Sequence, residues 1–174
     1  TIHSGHWDPF FEACAETGTV VAMHIGSSSK MPVTTLDAPG SVSATLAFGN
    51  AMFSMVDFLM SGVLVKYPAL KLLYAESQIG WIPYVLQRID QVWEDNQAWA
   101  QTKHIPEPPS TYYFQSIYGC FINDAHGLKS LNEIGLGNIT AETDYPHSDS
   151  SWPHTKEVMT KLTAGLSDTE VHQI

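Results

Sequence analysis

The chain has 174 residues, about the length of one domain, and its 44% hydrophobic and 15% charged residues exclude an intrinsically disordered protein. A formal net charge of −10, with only eight Lys and Arg residues together, argues against binding to nucleic acid or to an anionic membrane, because both require basic patches. No signal-peptide pattern is visible. We therefore expect a cytoplasmic protein that binds a small molecule.

The first third of the chain predicts one strand between two helices. Residues 7–18 have Asp8-Pro9 next to their start and Gly18 at their end, which predicts a helix. The β-branched and apolar residues 19–26 predict a strand that is covered on both faces. After a loop rich in Ser, Pro and Gly, a long apolar helix is predicted over residues 42–66. Gly, Asn and Asp residues interrupt this apolar stretch, so we predict a buried or interface helix rather than a membrane span.

The rest of the chain repeats the alternation of strand and helix. Three more strands are predicted over residues 69–77, 116–123 and 138–143. Residues 102–113 read as a loop that contains several prolines. The predicted helices cover residues 80–100, with Pro83 in the first turn, 124–135 and 153–166, and a capping box begins another at Ser167. Four strand–helix units predict a parallel sheet, and in such folds ligands bind at the carboxyl ends of the strands.

Three potential metal ligands stand at these strand ends. His24 closes the first strand, Glu76 the second and Asp144 the fourth. One imidazole and two carboxylates suit Zn²⁺, Mn²⁺ or Fe²⁺ with open positions for water and substrate. Such an ion could activate water or polarise a substrate carboxylate. His147 lies close behind Asp144 in the sequence and could reach the same site.

Each of the three residues also has a simpler interpretation. His24 could be a core histidine with its hydrogen bonds satisfied. Glu76 could cap the helix that begins near Gly80, and Asp144 could form an Asx-turn before Tyr-Pro. Their common position at the ends of successive strands favours the metal site.

Three segments carry a resemblance to a known family. They are "MHIGSSS", "YPALKLLYAESQIGWIPYVLQRID" and "NITAETDYPHSDSSWP". The chain resembles, over almost its whole length, the amidohydrolase-related family, the branch of the amidohydrolase superfamily that includes aminocarboxymuconate-semialdehyde decarboxylase. The resemblance implies an α/β fold of the (β/α)₈ TIM-barrel type with a divalent metal at the carboxyl ends of the strands. The four units here would be strands five to eight, so we expect residues 1–174 to be one barrel domain truncated at both ends.

The resemblance also implies roles for individual residues. His24 matches the fifth-strand metal ligand. Asp144 matches the eighth-strand aspartate, which binds the metal and shuttles a proton. Many relatives have a catalytic histidine after the sixth strand, where this chain has Glu76; we expect Glu76 to orient substrate or to act as acid or base. Ser27, Tyr145 and His147 are the expected substrate contacts. The family's first-strand His-x-His or Glu-x-His motif is not found in these residues.

The leading prediction is a metal-dependent hydrolase or non-oxidative decarboxylase for a small carboxylate-bearing or cyclic substrate. The alternative is a non-catalytic barrel half that serves as a binding or assembly module. The missing first-strand motif supports this alternative, and the Met- and Phe-rich stretch 44–65 resembles a dimer interface, so we also predict a homo-oligomer. A flavodoxin-like or Rossmann module fits the alternation alone, but the glycine-rich phosphate loop is lacking.

Overall fold

A parallel four-stranded sheet lies at the centre of the structure, a computed structural model that describes residues 1–25 and 30–174. The strands are β1 (Val20–His24), β2 (Lys71–Ala75), β3 (Ile117–Phe121) and β4 (Ile139–Ala141). They lie side by side in the order of the sequence, and all three pairings are parallel. The carboxyl ends of the four strands therefore meet at one edge of the sheet, as predicted.

Helices connect the strands and precede or follow the sheet. In chain order they are α1 (Asp8–Thr17), α2 (Gly40–Leu46), α3 (Gly49–Ser61), α4 (Val63–Lys66), α5 (Ile82–Asp95), α6 (Gln97–Ala100), α7 (Pro109–Ser116), α8 (Ala125–Lys129), α9 (Leu131–Ile134), α10 (Thr155–Leu162) and α11 (Asp168–Gln173). Short 3₁₀ helices cover Ile2–Ser4 and Leu136–Asn138. The capping box predicted at Ser167 is confirmed, because Ser167 and Glu170 exchange hydrogen bonds at the start of α11.

The prediction of one continuous helix over residues 42–66 is wrong, because the segment forms α2, α3 and α4. The break between α3 and α4 falls at Gly62, whose φ of 79° lies in the left-handed region that favours glycine. A Cβ atom at Gly62 would also stand 2.8 Å from the ring of His104. By length and composition alone the helical stretch Gly40–Ser61 could cross a membrane, as many core helices could. Ala51, Met55 and Leu59 of α3 belong to the hydrophobic core.

The segment 102–113, predicted as a loop, contains the beginning of α7. The carboxylate of Asp90, on α5, accepts hydrogen bonds from the backbone N–H of Ser110 at 2.9 Å and from its hydroxyl at 2.6 Å. Asp90, 20 positions away in the sequence, therefore accepts hydrogen bonds from the first turn of α7. The local sequence therefore gave no capping signal, and its prolines suggested a loop.

The core lies between the sheet and the helices on one of its faces. Leu72 and Tyr74 of β2 are buried, and Ser54 of α3 contacts the Tyr74 hydroxyl at 3.3 Å. The prediction that β1 is covered on both faces is wrong. Only Met23 of that strand is buried and Val20 is 49% exposed. Val20, Ala22 and His24 share one face of the strand and are all exposed, so that face is uncovered in the described part of the chain.

Candidate functional site

The backbone turns sharply where the site residues leave the sheet. Ile25, Glu76 and Asp144 follow β1, β2 and β4, and they have φ angles of 45°, 56° and 53°. Residues other than glycine rarely adopt this left-handed conformation, which is strained and concentrated at functional sites. The chain therefore holds an unfavourable backbone geometry at three of the four strand ends.

The structure brings four of the predicted side chains to the same edge of the sheet. His24 Nε2 lies 2.6 Å from Glu76 Oε1, and His147 Nδ1 lies 2.7 Å from Asp144 Oδ1. One ligand atom each from Glu76, Asp144 and His147 lies within 4.8 Å of the other two. His24 is not part of this group but contacts one member of it, Glu76. The arrangement is an acidic pair of carboxylates with an imidazole on either side.

Burial and like charge act together on the two carboxylates. The side chain of Glu76 is 17% exposed and that of Asp144 is 9% exposed. Desolvation raises the pKa of Glu76, the His24 imidazole opposes this, and the Asp144 carboxylate raises the pKa of Glu76 further. Two shielded carboxylates repel each other unless a cation or a shared proton lies between them.

The simpler interpretations of His24 and Glu76 do not describe the structure. The His24 side chain is 62% exposed, so it is not a core histidine. The backbone N–H groups of Ile79 and Gly80, just before α5, donate to Asp124 Oδ2 at 2.8 and 2.6 Å. Asp124 therefore takes the capping position that was considered for Glu76. Asp144 lies in a turn that its backbone carbonyl forms by accepting from the His147 N–H at 2.9 Å, while its carboxylate, the acceptor in an Asx-turn, contacts His147 Nδ1 at 2.7 Å.

The sequence profile of the amidohydrolase family matches residues 2–174. The chain belongs to this family. No match is found among curated protein sequences. The chain is also similar in structure to an amidohydrolase from Mycobacterium avium subsp. paratuberculosis K-10 (17% identity, TM-score 0.81), to 5-carboxyvanillate decarboxylase LigW from Sphingomonas paucimobilis (19%, 0.79) and to a dihydroxybenzoic acid decarboxylase from Polaromonas sp. JS666 with bound manganese and the inhibitor 2-nitroresorcinol (17%, 0.74).

These similarities confirm the predicted family and fold class. Each alignment covers 99% of this chain but only 44%, 51% and 52% of the three solved chains. The 174-residue chain therefore spans about half of their length. A parallel four-stranded sheet with helices between its strands is half of a (β/α)₈ barrel of the amidohydrolase type. The single domain over residues 1–174, the cytoplasmic location and the homo-oligomer stay predictions.

The donor set of this amidohydrolase half-barrel fits a divalent metal. Carboxylate oxygens and imidazole nitrogens are the ligands of Zn²⁺, Mn²⁺ and non-haem Fe²⁺. Ligand atoms about 2.1 Å from one ion lie up to roughly 4.2 Å apart, close to the spacing in the cluster. Glu76, Asp144 and His147 could hold such an ion. The predicted ligand His24 contacts Glu76 at 2.6 Å but is not part of this cluster of ligand atoms, so its metal role stays a prediction.

Two of the expected substrate contacts remain without a structural assignment. Ser27 lies outside the described residues. Tyr145 is exposed, and its ring packs edge-on against Trp152 with the ring centroids 5.3 Å apart. The roles of all the predicted site residues stay predictions, although the structure shows which of them meet.

Sequence reasoning gave no role to two carboxylates that contact backbone around the site. Asp124, three residues after β3, accepts from Ile79, Gly80 and Gly127 N–H groups. Glu142, directly after β4, accepts from the backbone N–H of Glu76 at 2.6 Å. The only signal available in the sequence was the position of both residues just beyond a strand.

Proposed function

We propose that this amidohydrolase chain supplies metal ligands and acid–base groups to a non-oxidative decarboxylase or hydrolase acting on a small carboxylate-bearing or cyclic substrate. The observation that carries the proposal is the convergence of Glu76, Asp144 and His147 at the carboxyl edge of the sheet. Active sites of (β/α)₈ enzymes lie at this edge. Family membership over residues 2–174 supports the same class of chemistry.

Decarboxylation of a hydroxylated aromatic carboxylate is the leading reaction. Two of the similar solved structures are decarboxylases, of 5-carboxyvanillate and of dihydroxybenzoic acid, and the second contains manganese. Hydrolysis of a cyclic ester or amide is the second candidate, because a carboxylate beside a metal site can also take a proton from water. The manganese of the similar structure favours Mn²⁺ as the first metal to test, with Zn²⁺ and Fe²⁺ next.

The residues of the chain have distinct tasks in such a reaction. The metal would polarise the bound substrate carboxylate. Decarboxylation breaks the bond between ring carbon and carboxylate, the electron pair stays on the ring carbon, a proton replaces CO₂ there, and CO₂ leaves. Asp144 is the group that carries this proton. Glu76 and His147 share the ligand cluster with Asp144 and would hold the metal together with it; Glu76 would also orient the substrate and His147 would contact it.

An assembly role is the alternative to a catalytic function. An apolar cleft of about 830 Å³ lies between α3 and α5, and the exposed rings of Phe53 and Tyr84 flank it. A surface with both a cleft and protruding aromatic side chains can pair with a second copy of itself. Sedimentation of the chain at several concentrations tests this role. A chain that binds metal and stays monomeric at every concentration would contradict the assembly role.

Metal binding is the deciding experiment. The full chain, its Asp144→Asn variant and a Glu157→Gln control are titrated with Mn²⁺ and Zn²⁺ by calorimetry, and their metal content is measured. Glu157 is a matched control because it also pairs with a histidine three residues away, at 3.3 Å, and is well exposed. We expect one ion per chain, at least tenfold weaker binding by Asp144→Asn and no change in Glu157→Gln. Absence of metal binding by the unaltered chain would refute the proposed function.

The reaction is then tested by CO₂ release from 5-carboxyvanillate and 2,6-dihydroxybenzoate. A panel of lactones tests hydrolysis, the other candidate reaction. The assay uses the metal-loaded chain and the same two variants. Turnover of a lactone without CO₂ release from either acid would select hydrolysis. Turnover that survives in Asp144→Asn at the full rate would remove Asp144 from the proposed proton transfer.

A further inference from the structure

Glu142 joins two strand ends that are not neighbours in the sheet. Its backbone N–H donates to the Phe121 carbonyl at 3.0 Å, which extends the pairing of β4 with β3 by one residue. Its side chain crosses β3 and accepts from the backbone N–H of Glu76, beyond β2, at 2.6 Å. In barrels of this type, alternate strands place side chains in the same interior layer, so β2 and β4 are suitably related.

The bond acts on a residue whose backbone is strained. Glu76 has a φ of 56°, a conformation that needs support from the surrounding structure. A hydrogen bond from a backbone N–H to a carboxylate is among the stronger ones, and this one is short and partly shielded from water. The bond therefore acts on the backbone of the residue whose side chain contacts His24 and lies in the cluster with Asp144.

A buried thiol also lies beside Glu142. Cys120 on β3 is buried and free. Burial is the largest cause that raises the pKa of Cys120, to about 12, and the Glu142 carboxylate adds to it. The thiol therefore stays neutral beside the carboxylate, and the strong partner of Glu142 is the Glu76 amide.

We propose that Glu142 is a positioning residue of the site: its carboxylate holds the Glu76 backbone so that the Glu76 side chain faces Asp144 and His147. This inference rests on the proposed function, in which those three residues bind the metal. Glu142 itself does not belong to the cluster of ligand atoms. Partners that orient metal ligands typically contribute about 10- to 100-fold to metal affinity or activity.

The test compares Glu142→Ala and Glu142→Gln with the unaltered chain and with Glu157→Gln. The first readout is hydrogen exchange of the Glu76 amide in the metal-free chain, with the Leu73 amide inside β2 as internal reference. We expect about tenfold or more faster exchange of Glu76 in Glu142→Ala, because its N–H loses the acceptor. In Glu142→Gln the amide oxygen can still accept, so the acceleration is smaller, and in Glu157→Gln exchange is unchanged.

The second readout is the Mn²⁺ dissociation constant from calorimetry. We expect it to rise about 10- to 100-fold in Glu142→Ala, to rise less in Glu142→Gln and to stay constant in Glu157→Gln. Unchanged exchange of Glu76 in Glu142→Ala would overturn the inference, and so would faster exchange with unchanged Mn²⁺ affinity. If the unaltered chain binds no Mn²⁺, the proposed function fails; the exchange readout still decides whether Glu142 holds Glu76.

Discussion

Replacement of Tyr113 by Phe should stabilise the chain. The Tyr113 side chain on α7 is fully buried, and its hydroxyl has no hydrogen-bond partner within the described part of the chain. A buried polar group without a partner costs about 1–3 kcal/mol. The variant keeps the ring, including its edge-on contact with Phe114 at 5.1 Å between centroids. We expect the free energy of unfolding to increase by about 1–2 kcal/mol, because the small void left by the hydroxyl offsets part of the stabilisation.

Urea unfolding measures this gain. With a slope of about 2 kcal/mol per M, the expected gain moves the midpoint up by roughly 0.5–1 M. Tyr112→Phe is the matched control, because Tyr112 lies on the same helix as Tyr113 and its hydroxyl accepts from the Glu107 N–H, which precedes the helix, at 3.3 Å. That variant should lose about 0.5–1.5 kcal/mol. A lower midpoint for Tyr113→Phe than for the unaltered chain would refute the reasoning.

Three further predictions concern stability. Burial raises the pKa of the Cys120 thiol to about 12 and also raises the pKa of the Tyr74 phenol. The unfolded chain therefore loses both protons at a lower pH than the folded chain does. The urea midpoint should consequently fall as the pH rises from about 9 towards 12. Asp124→Ala removes the acceptor of three backbone N–H groups and should cost about 2–4 kcal/mol, measured by thermal unfolding. Gly62→Ala should cost more than Gly18→Ala, because both have left-handed φ but only Gly62 lacks room for a Cβ.

Each of these predictions has an outcome that would contradict it. A midpoint that is constant between pH 9 and pH 11 would show that the buried thiol and phenol do not control alkaline stability. A loss for Asp124→Ala no larger than that for the exposed Asp149→Ala would show that the three bonds are replaced by water. Equal losses at Gly62 and Gly18 would mean that the His104 ring moves aside without cost.

The order of the secondary structure elements could be read from the sequence. Periodicity and the residues at helix ends predicted all four strands and α1 close to their observed bounds, because these signals lie within each segment. The helix α7 and the division of residues 42–66 could not be read. They depend on Asp90, which is distant in the sequence, and on the packing of His104 against Gly62.

The site was only partly visible in the sequence. The carboxyl ends of parallel strands meet at one edge, so the strand-end positions of Glu76 and Asp144 were enough to predict that their side chains converge. The pairing of His24 with Glu76, and of His147 with Asp144, needed the actual side-chain directions. The bond from Glu142 to the Glu76 backbone crosses an intervening strand, and no spacing in the sequence encodes such a contact.

The sequence by itself determined the family, the parallel α/β architecture and the edge of the sheet that carries the chemistry. Residue patterns and motifs are local, and the βα alternation leaves few ways to arrange the strands. Only the tertiary structure decided which side chains touch, which polar groups are buried and where the backbone is strained. Those properties arise from contacts between residues distant in the chain, whose geometry is set when the helices pack on the sheet.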